Sequence, residues 1–528
     1  MADDVFWADK VAKQVIAREA ELKRGTRTFR TEMGVGASGV PHVGSSGDGI
    51  RSYVVMLGLK NLKVASELIA FVDDRDGLRK VPIGFPSELE NDIGKPVSNI
   101  SDPFGCHKSF SLHVSSLLID AFEKLGVDFK LMRASEEYGK GTFDKEIVDI
   151  LKNGKIVGEI IKKTTGQDKY LKQLPFMPIC EKCGRVNTTV ATSFDGSKIS
   201  YSCTGEFIGK DSKGQPVTIK GCGWSGKSGI HDGKLAWKSD FAARWRALRI
   251  NYEAYGKDIS DSVRANDEIS RQVLKWEPPV HSMYEMFTQR GGKKISKSVG
   301  NVFTPQNWLK YASPESLRLL FLKKLDKTRV VDIDAIPAYV EEVDELAKVY
   351  FGETKVANER ELSHMKRLYE YINFLRTPSE KPLMIPYSVL LSMLKIVPET
   401  DVVKEMLTRT GHIPHKLSKA DDAMVSERIT RAKAWVTDAG VASESDVKLT
   451  KDQKVAVSKL VKELKKKWTE GDLEKRLYEL ARESELEPKE FFQTIYRLLL
   501  GSTRGPRLAM LILAIGKENV ASRLNVHL

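Results

Sequence analysis

The chain has 528 residues, 41% hydrophobic and 29% charged, with a formal net charge of +13 and a sequence pI near 9.2. At roughly 150 residues per domain this predicts three or four domains with several apolar cores, and no apolar run approaches the ~20 residues of a membrane span. The basic balance points to a polyanionic partner, nucleic acid first.

Met1 to Arg24 has the pattern of an amphipathic helix, and Asp3, Asp4, Asp9, Glu19 and Glu21 argue against a secretory or mitochondrial leader, so a cytoplasmic location is expected. Thr28 to Glu32 is predicted as a short strand, followed by the glycine turn Gly34-Val35-Gly36-Ala37-Ser38-Gly39. A helix is predicted from Ser45 through Arg51, Val54, Val55, Leu57 and Leu62, and a buried strand from Leu68 to Val72, ending at Asp73, Asp74 and Asp76. Ser111 to Leu125 is predicted as a helix, Phe129 to Arg133 as a strand and Asp144 to Lys163 as a helix. This alternation implies a parallel sheet with crossovers.

Pro175 to Gly229 departs from that pattern. It is rich in Gly, Cys, Ser and Thr, with short alternating stretches at Lys198–Ser202 and Val217–Lys220, and is predicted as a small β insertion. The α/β pattern resumes near Leu235. After about Asp344 the chain is predicted to be helical almost throughout, with apolar residues at helical spacing in Ser418–Thr437, Lys451–Lys467, Leu473–Glu483 and Pro488–Leu500. Lys462, Lys465, Lys466, Lys467, Lys475, Arg476 and Arg482 mark basic faces there.

Two glycine motifs fail on context. Gly34-x-Gly36-x-x-Gly39 fits a dinucleotide fingerprint, but Pro41 delays the helix that should hold its last glycine. Gly221 to Ser228 fits the P-loop expression, but Gly229-Ile230-His231-Asp232-Gly233 cannot supply the helix that must follow.

All five cysteines fall between Cys106 and Cys222. An odd, clustered count favours metal over a disulfide framework. Cys180-x-x-Cys183 aims two thiolates at one tetrahedral ion, and Cys203 and Cys222 can close it as structural zinc. Asp102, Cys106, His107 and His113 form a second ligand-capable set at a loop–helix junction, where Pro103-Phe104-Gly105 permits the sharp turn. Four protein ligands leave no open position, so both sites would be structural.

Pro41-His42-Val43-Gly44-Ser45 and Lys293-Lys294-Ile295-Ser296-Lys297-Ser298, in this order, resemble the paired ATP-binding signatures of class I aminoacyl-tRNA synthetases. A nucleoside triphosphate needs both backbone N–H groups at a helix start and ammonium groups for the outgoing phosphates. Longer blocks resemble one family, the archaeal-type class I lysyl-tRNA synthetases: Glu32-Met33-Gly34, Asp73 to Pro82, Asp102 to His107 with His113, Lys234 to Phe241 with Arg244-Trp245, Met283 to Phe287, Tyr496-Arg497-Leu498 and Arg504 to Leu508.

The resemblance implies an α/β fold: a Rossmann-like class I synthetase catalytic domain with a zinc-bearing β insertion, followed by an all-helical C-terminal domain. The expected divisions are residues 1–170 and 229–300 for the two catalytic halves, 171–228 for the insertion, 301–350 for a stem-contact region and 351–528 for an anticodon-binding domain. It implies ATP-dependent attachment of lysine to tRNA-Lys, with Mg2+ on the phosphates. His42, Lys294 and Lys297 would be catalytic, and Pro41, Gly44, Ser45 and Ser296 would complete the ATP site. Gly34, Trp237 and Tyr284 would line the lysine site, with Glu32 or Asp240 facing the ammonium group. A monomer is favoured. The alternatives are a class I enzyme for another amino acid and a zinc-containing tRNA-binding paralogue without activation. The sequence departs from the family at Ser45, where asparagine or histidine is usual, at Gly36, where threonine is frequent, and at Ile259, where Gly-Lys-Asp is normally followed by histidine.

Overall fold

The computed structural model describes residues 5–288, 303–439, 449–501, 503 and 507–528. Two compact units are built from interleaved segments: 1–306, 318–332 and 356–377 form one, and 307–317, 333–355 and 378–528 the other.

The first unit is organised by five parallel strands: β1 (Phe29–Val35), β2 (Ser66–Val72), β3 (Lys130–Arg133), β4 (Tyr252–Gly256) and β5 (Val280–Tyr284). They lie in the order β3-β2-β1-β4-β5. The order reverses at β1, so the crevice between the carboxyl ends of β1 and β4 is the topological switch point, where open α/β sheets bind ligands. The crossover helices include α1 (Gly47–Asn61), α2 (Phe110–Lys124), α3 (Trp237–Ala247) and α4 (Ser260–Gln272). Helix α1 is buried along nearly its whole length, as a helix pressed between sheet and neighbouring helices must be.

β1 runs further than the Thr28–Glu32 expectation because Met33 and Val35 are buried and the pairing with β2 continues through Gly34↔Phe71 and Val35↔Val72. The first glycine of the turn is therefore a strand residue. The helix predicted over Asp144–Lys163 is two helices, Asp144–Lys152 and Gly154–Thr165, broken at Asn153 (φ −104°, ψ 25°). A Cβ on Gly154 would lie 2.6 Å from the Leu174 side chain, and one on Gly158 would lie 2.2 Å from the Tyr170 carbonyl oxygen, so both glycines serve close packing of the next turn.

The insertion is β-structured, as expected. Val190–Phe194, Ile199–Ser202 and Ser225–Ser228 make a three-stranded antiparallel sheet, and Glu206–Lys210 pairs with Pro216–Lys220 as a hairpin. A Cβ on Gly221 would sit 2.0 Å from the Cys203 carbonyl oxygen. The P-loop-like glycine is thus required by packing around a cysteine.

The described residues of the second unit are helical. Its longest helix, Lys419–Asp438, is N-capped by Ser418, whose hydroxyl accepts from the Asp421 N–H. Lys451–Glu463 starts with a reciprocal Thr450–Gln453 capping box. Thr469 caps Glu470–Glu483 in the same manner. Gly501 ends Pro488–Leu500 in the left-handed conformation at φ +64°. Among the described residues no helix is long and apolar enough to cross a membrane.

Candidate active site and metal centres

The first ATP-type signature forms a tight turn at the amino end of α1. Val43–Ser46 is one 3-10 turn that runs directly into Gly47. Ser45 holds it reciprocally: its hydroxyl accepts from the His42 N–H at 3.2 Å, and its own N–H donates to the His42 carbonyl at 2.8 Å. The serine that departs from the family pattern therefore still closes the turn. Pro41 is buried beneath it. A Cβ on Gly44 would meet the His42 imidazole at 3.0 Å and Phe287 at 3.6 Å. One on Gly49, a turn later, would meet Phe122 at 2.4 Å and the Met33 sulfur at 2.6 Å, so helix and strand approach closely only because residue 49 is glycine.

Lys294, Ser296 and Lys297 lie outside the described residues, but both flanks of their segment meet this turn. Phe287 packs near Gly44, and the Phe303 carbonyl accepts from the Val43 N–H at 2.8 Å. The turn offers N–H groups and a helix start, the arrangement that favours an anion.

Beside it, under the ends of β1 and β2, lies a buried ionic cluster. Arg244, on α3, reaches Glu32 at 3.3 Å, Asp73 at 3.2 Å and Asp240 at 3.5 Å. Its guanidinium carbon is 4.5 Å from the Phe71 ring centroid and 4.6 Å from that of Phe241. The Tyr138 hydroxyl donates to Asp240 at 2.7 Å, the Lys234 ammonium meets Asp76 at 2.5 Å, and the Trp245 indole N–H donates to Glu253 at 2.6 Å. Glu32, Asp73, Asp76, Asp240 and Glu253 outnumber Arg244 and Lys234, so the cluster carries an excess of carboxylate.

Burial pushes Glu32 up to about 8, against the pull of Arg244. It raises Asp73 and Glu253 to about 7, again opposed by Arg244. The guanidinium is held firmly charged because Asp73, Glu32 and Asp240 together outweigh the cost of its own burial.

Of the residues expected to line the amino-acid site, Gly34 adjoins this cluster, Trp237 lies on the helix that carries Arg244, and Tyr284 meets the start of α1. Gly34, the penultimate residue of β1, lies beside Asp73, whose carboxylate oxygen would be 4.0 Å from a Cβ at Gly34. Trp237 opens α3, 37% exposed as a residue, with its ring 5.1 Å from that of Phe241. Tyr284 ends β5, and its hydroxyl would lie 3.3 Å from a Cβ on Gly47 and 3.5 Å from one on Gly256. The tyrosine thus reaches across the switch-point crevice. Glu32 and Asp240 both face Arg244. Ile259 is half-buried and packs against the apolar core of the first unit.

Sequence reasoning placed Arg244 only inside a matched block and gave Asp73 no role of its own. The available signal was the Asp73-Asp74-x-Asp76 run at a strand end, which is costly without a cation.

Both metal-ligand sets assemble. The four thiols of Cys180, Cys183, Cys203 and Cys222 lie within 4.8 Å of one another, with 3.6 Å between Cys180 and Cys222 and 3.7 Å between Cys183 and Cys203. A tetrahedral ion with Zn–S bonds of about 2.3 Å requires sulfur separations of about 3.8 Å, so the donor set fits zinc. Asp102, Cys106, His107 and His113 also converge within 4.8 Å. The Cys106 sulfur lies 3.1 Å from the Nδ1 atoms of both histidines, and Asp102 is 3.3 Å from His113. Gly105 at φ +70° makes the turn. Although desolvation opposes it, hydrogen bonds from Cys106, His107 and Phe104 hold the Asp102 carboxyl down at about 2, ready as an anionic ligand.

The family model described as tRNA synthetases class I (K) matches residues 5–374, and one described as an anticodon binding domain matches residues 422–528. A lysine–tRNA ligase of Cenarchaeum symbiosum is 38% identical over 529 residues, covering 99% of this chain and 98% of that protein. A lysine–tRNA ligase of Natronomonas pharaonis is 30% identical, covering 98% and 97%, and one of Methanocaldococcus jannaschii is 29% identical, covering 99% and 100%. With a parallel sheet and its switch-point turn, a family model matched over residues 5–374 and a relative 38% identical over 99% of the chain, the protein belongs to the class I (K) family of tRNA synthetases.

Proposed function

We propose that the chain is a lysine–tRNA ligase that forms lysyl-adenylate from lysine and ATP, releases pyrophosphate and passes lysine to the terminal ribose of tRNA-Lys. The observation that carries this reading is the meeting of both flanks of the lysine-rich segment, Phe287 and Phe303, with the turn at Val43-Gly44. Lys294, Ser296 and Lys297 belong in sequence to the segment between these two flanks, which supports their assignment to the same nucleotide site as His42.

The lysine carboxylate attacks the α-phosphate, the bond to the β-phosphate breaks, and pyrophosphate departs. No side-chain nucleophile is needed, so catalysis is positioning and charge stabilisation. His42 donates to the α-phosphate oxygens as charge builds. Lys294 and Lys297 neutralise the β- and γ-phosphates, with Ser296 between them, and Mg2+ bound with ATP supplies further neutralisation. Pro41, Gly44 and Ser45 shape the turn against the nucleotide.

The excess of carboxylate under Gly34 suits a cationic side chain, and Trp237 and Tyr284 supply aromatic walls. Zinc held by the four cysteines, and by Asp102, Cys106, His107 and His113, would brace the insertion and the loop entering α2. Residues 301–350 would contact the tRNA stem and 351–528 the anticodon.

ATP–pyrophosphate exchange with each amino acid in turn tests the reading. Exchange with lysine alone is expected. Exchange with none would remove the ligase, and exchange with another amino acid but not lysine would remove the specificity.

A further inference from the structure

Arg51, one turn into α1, is 2% exposed, yet its Nε and Nη1 atoms are buried with no hydrogen-bond partner among the described residues. Its charge is met by aromatic faces. The guanidinium carbon lies 3.8 Å from the Tyr284 ring centroid, 5.8 Å from that of Phe321 and 5.9 Å from that of Phe287. A carboxylate completes the arrangement: Asp48 accepts the Tyr284 hydroxyl, and its charge bears on Arg51.

This packing depends on Gly47. A Cβ there would lie 2.6 Å from Arg51 Nη1 and 3.3 Å from the Tyr284 hydroxyl. The first residue of α1 must therefore be glycine for the guanidinium to pass over the helix start and lie on the tyrosine. Tyr284 is clamped on its ring by Arg51 and at its hydroxyl by Asp48, both on the helix that carries the nucleotide turn.

We propose that Arg51 is a positioning residue for the amino-acid site, fixing Tyr284 as a wall of the crevice, and that Gly47 is glycine to admit it. The inference rests on the lysine-activating reading above. A buried arginine that merely supported the fold would find hydrogen-bond acceptors for its N–H groups. Here two of its nitrogens have no acceptor among the described residues, and its closest aromatic ring is that of Tyr284, 3.8 Å away.

The test is ATP–pyrophosphate exchange by the full chain, with KM for lysine and kcat measured separately and thermal melting recorded alongside. Arg51→Met removes the cation and keeps the bulk. A desolvated cation–π contact of this type corresponds to about a tenfold rise in KM for lysine, with kcat and KM for ATP little changed. Gly47→Ala keeps the charge and the helix, but puts a methyl group where the guanidinium lies. It should raise KM for lysine in the same direction with melting unchanged or slightly raised.

The proposal is overturned if both variants keep the wild-type KM for lysine. It is equally overturned if kcat, KM for ATP and melting temperature all fall together in both, as loss of fold would dictate. A wild-type protein that exchanges with no lysine overturns the functional reading and this inference together, whereas active wild type with unaltered variants removes this inference alone.

Discussion

Arg244 and Glu32 face each other across 3.3 Å with side chains 2% and 0% exposed, so the middle of the central strand carries a carboxylate whose cation comes from a helix more than two hundred residues away. Asp73 and Asp240 share the same guanidinium. Removing one partner of a buried ion pair costs more than the pair contributes, because the remaining charge stays buried. Arg244→Met should therefore cost about 3–5 kcal/mol of stability. Burial holds the Glu32 and Asp73 carboxyls above the usual carboxylate range even with Arg244 present. Acid neutralises the stranded carboxylates, so the loss should be smaller at pH 5.5 than at pH 8.5. Urea midpoints at the two pH values check this, and an equal loss at both would contradict a charge-based role.

If the proposed lysine ammonium group meets the carboxylates under Gly34, Asp73 beside that glycine should make lysine affinity pH-dependent. Its carboxyl is raised to about 7, chiefly by burial against the opposing pull of Arg244, so the free protein is partly protonated there at neutrality. An incoming ammonium group favours the ionised form and lowers that value. Binding should then release protons, and KM for lysine should fall as pH rises through about 7 and level off above 8. Lysine's own side-chain ammonium stays charged across this window, since it titrates near 10.4. Asp73→Asn should weaken lysine binding and flatten the profile. Calorimetry in two buffers of different ionisation heat measures the proton release, and uptake in place of release would refute the assignment.

The two ligand sets predict two equivalents of zinc in purified protein. Cys180→Ser should lose one and expose the insertion to proteolysis, because Cys180, Tyr201 and Cys203 form the small buried core of the insertion. His113→Ala should lose the other and loosen the loop entering α2 without unfolding the insertion. Metal analysis with limited proteolysis separates the two. A single equivalent in the wild type, unaffected by His113→Ala, would reassign Asp102, Cys106, His107 and His113 to a hydrogen-bonded turn.

What could be read from the chain was local. The strand from Leu68, the α1 pattern, the Cys-x-x-Cys turn and the alternating stretch Val217–Lys220 depend on neighbours in sequence, and each is found close to where periodicity and turn chemistry put it. The break at Asn153 was hidden because apolar spacing continues across it. The end of β1 was hidden because pairing with β2, not the glycine content of the segment, decides where the strand stops. The ionic cluster was least legible. Nothing in the spacing of Glu32, Asp73 and Arg244 signals that they meet, since the crossovers that join them span most of the catalytic unit. The clamp on Tyr284 was equally hidden, although Gly47 and Arg51 are four residues apart, because its meaning depends on β5.

The nucleotide turn offers the sharpest test of His42. A Cβ on Gly44 would approach Nδ1 and Cε1 of its imidazole to 3.0 Å, tighter than ordinary contact. Gly44→Ala should tilt that ring with little effect on folding, since residue 44 is only partly buried. If His42 must meet a developing negative charge, a displacement of about 1 Å costs on the order of a hundredfold in rate. Exchange kcat should therefore collapse while melting stays near wild type. Ser45→Ala removes the acceptor of the His42 N–H but leaves the imidazole room. Its cost should follow the loss of a cap, about 0.5–2 kcal/mol, spread over turn stability and KM for ATP. The order of severity in kcat, Gly44→Ala far below Ser45→Ala, is the discriminating result. If both variants kept the wild-type kcat, His42 orientation would not be what this glycine protects.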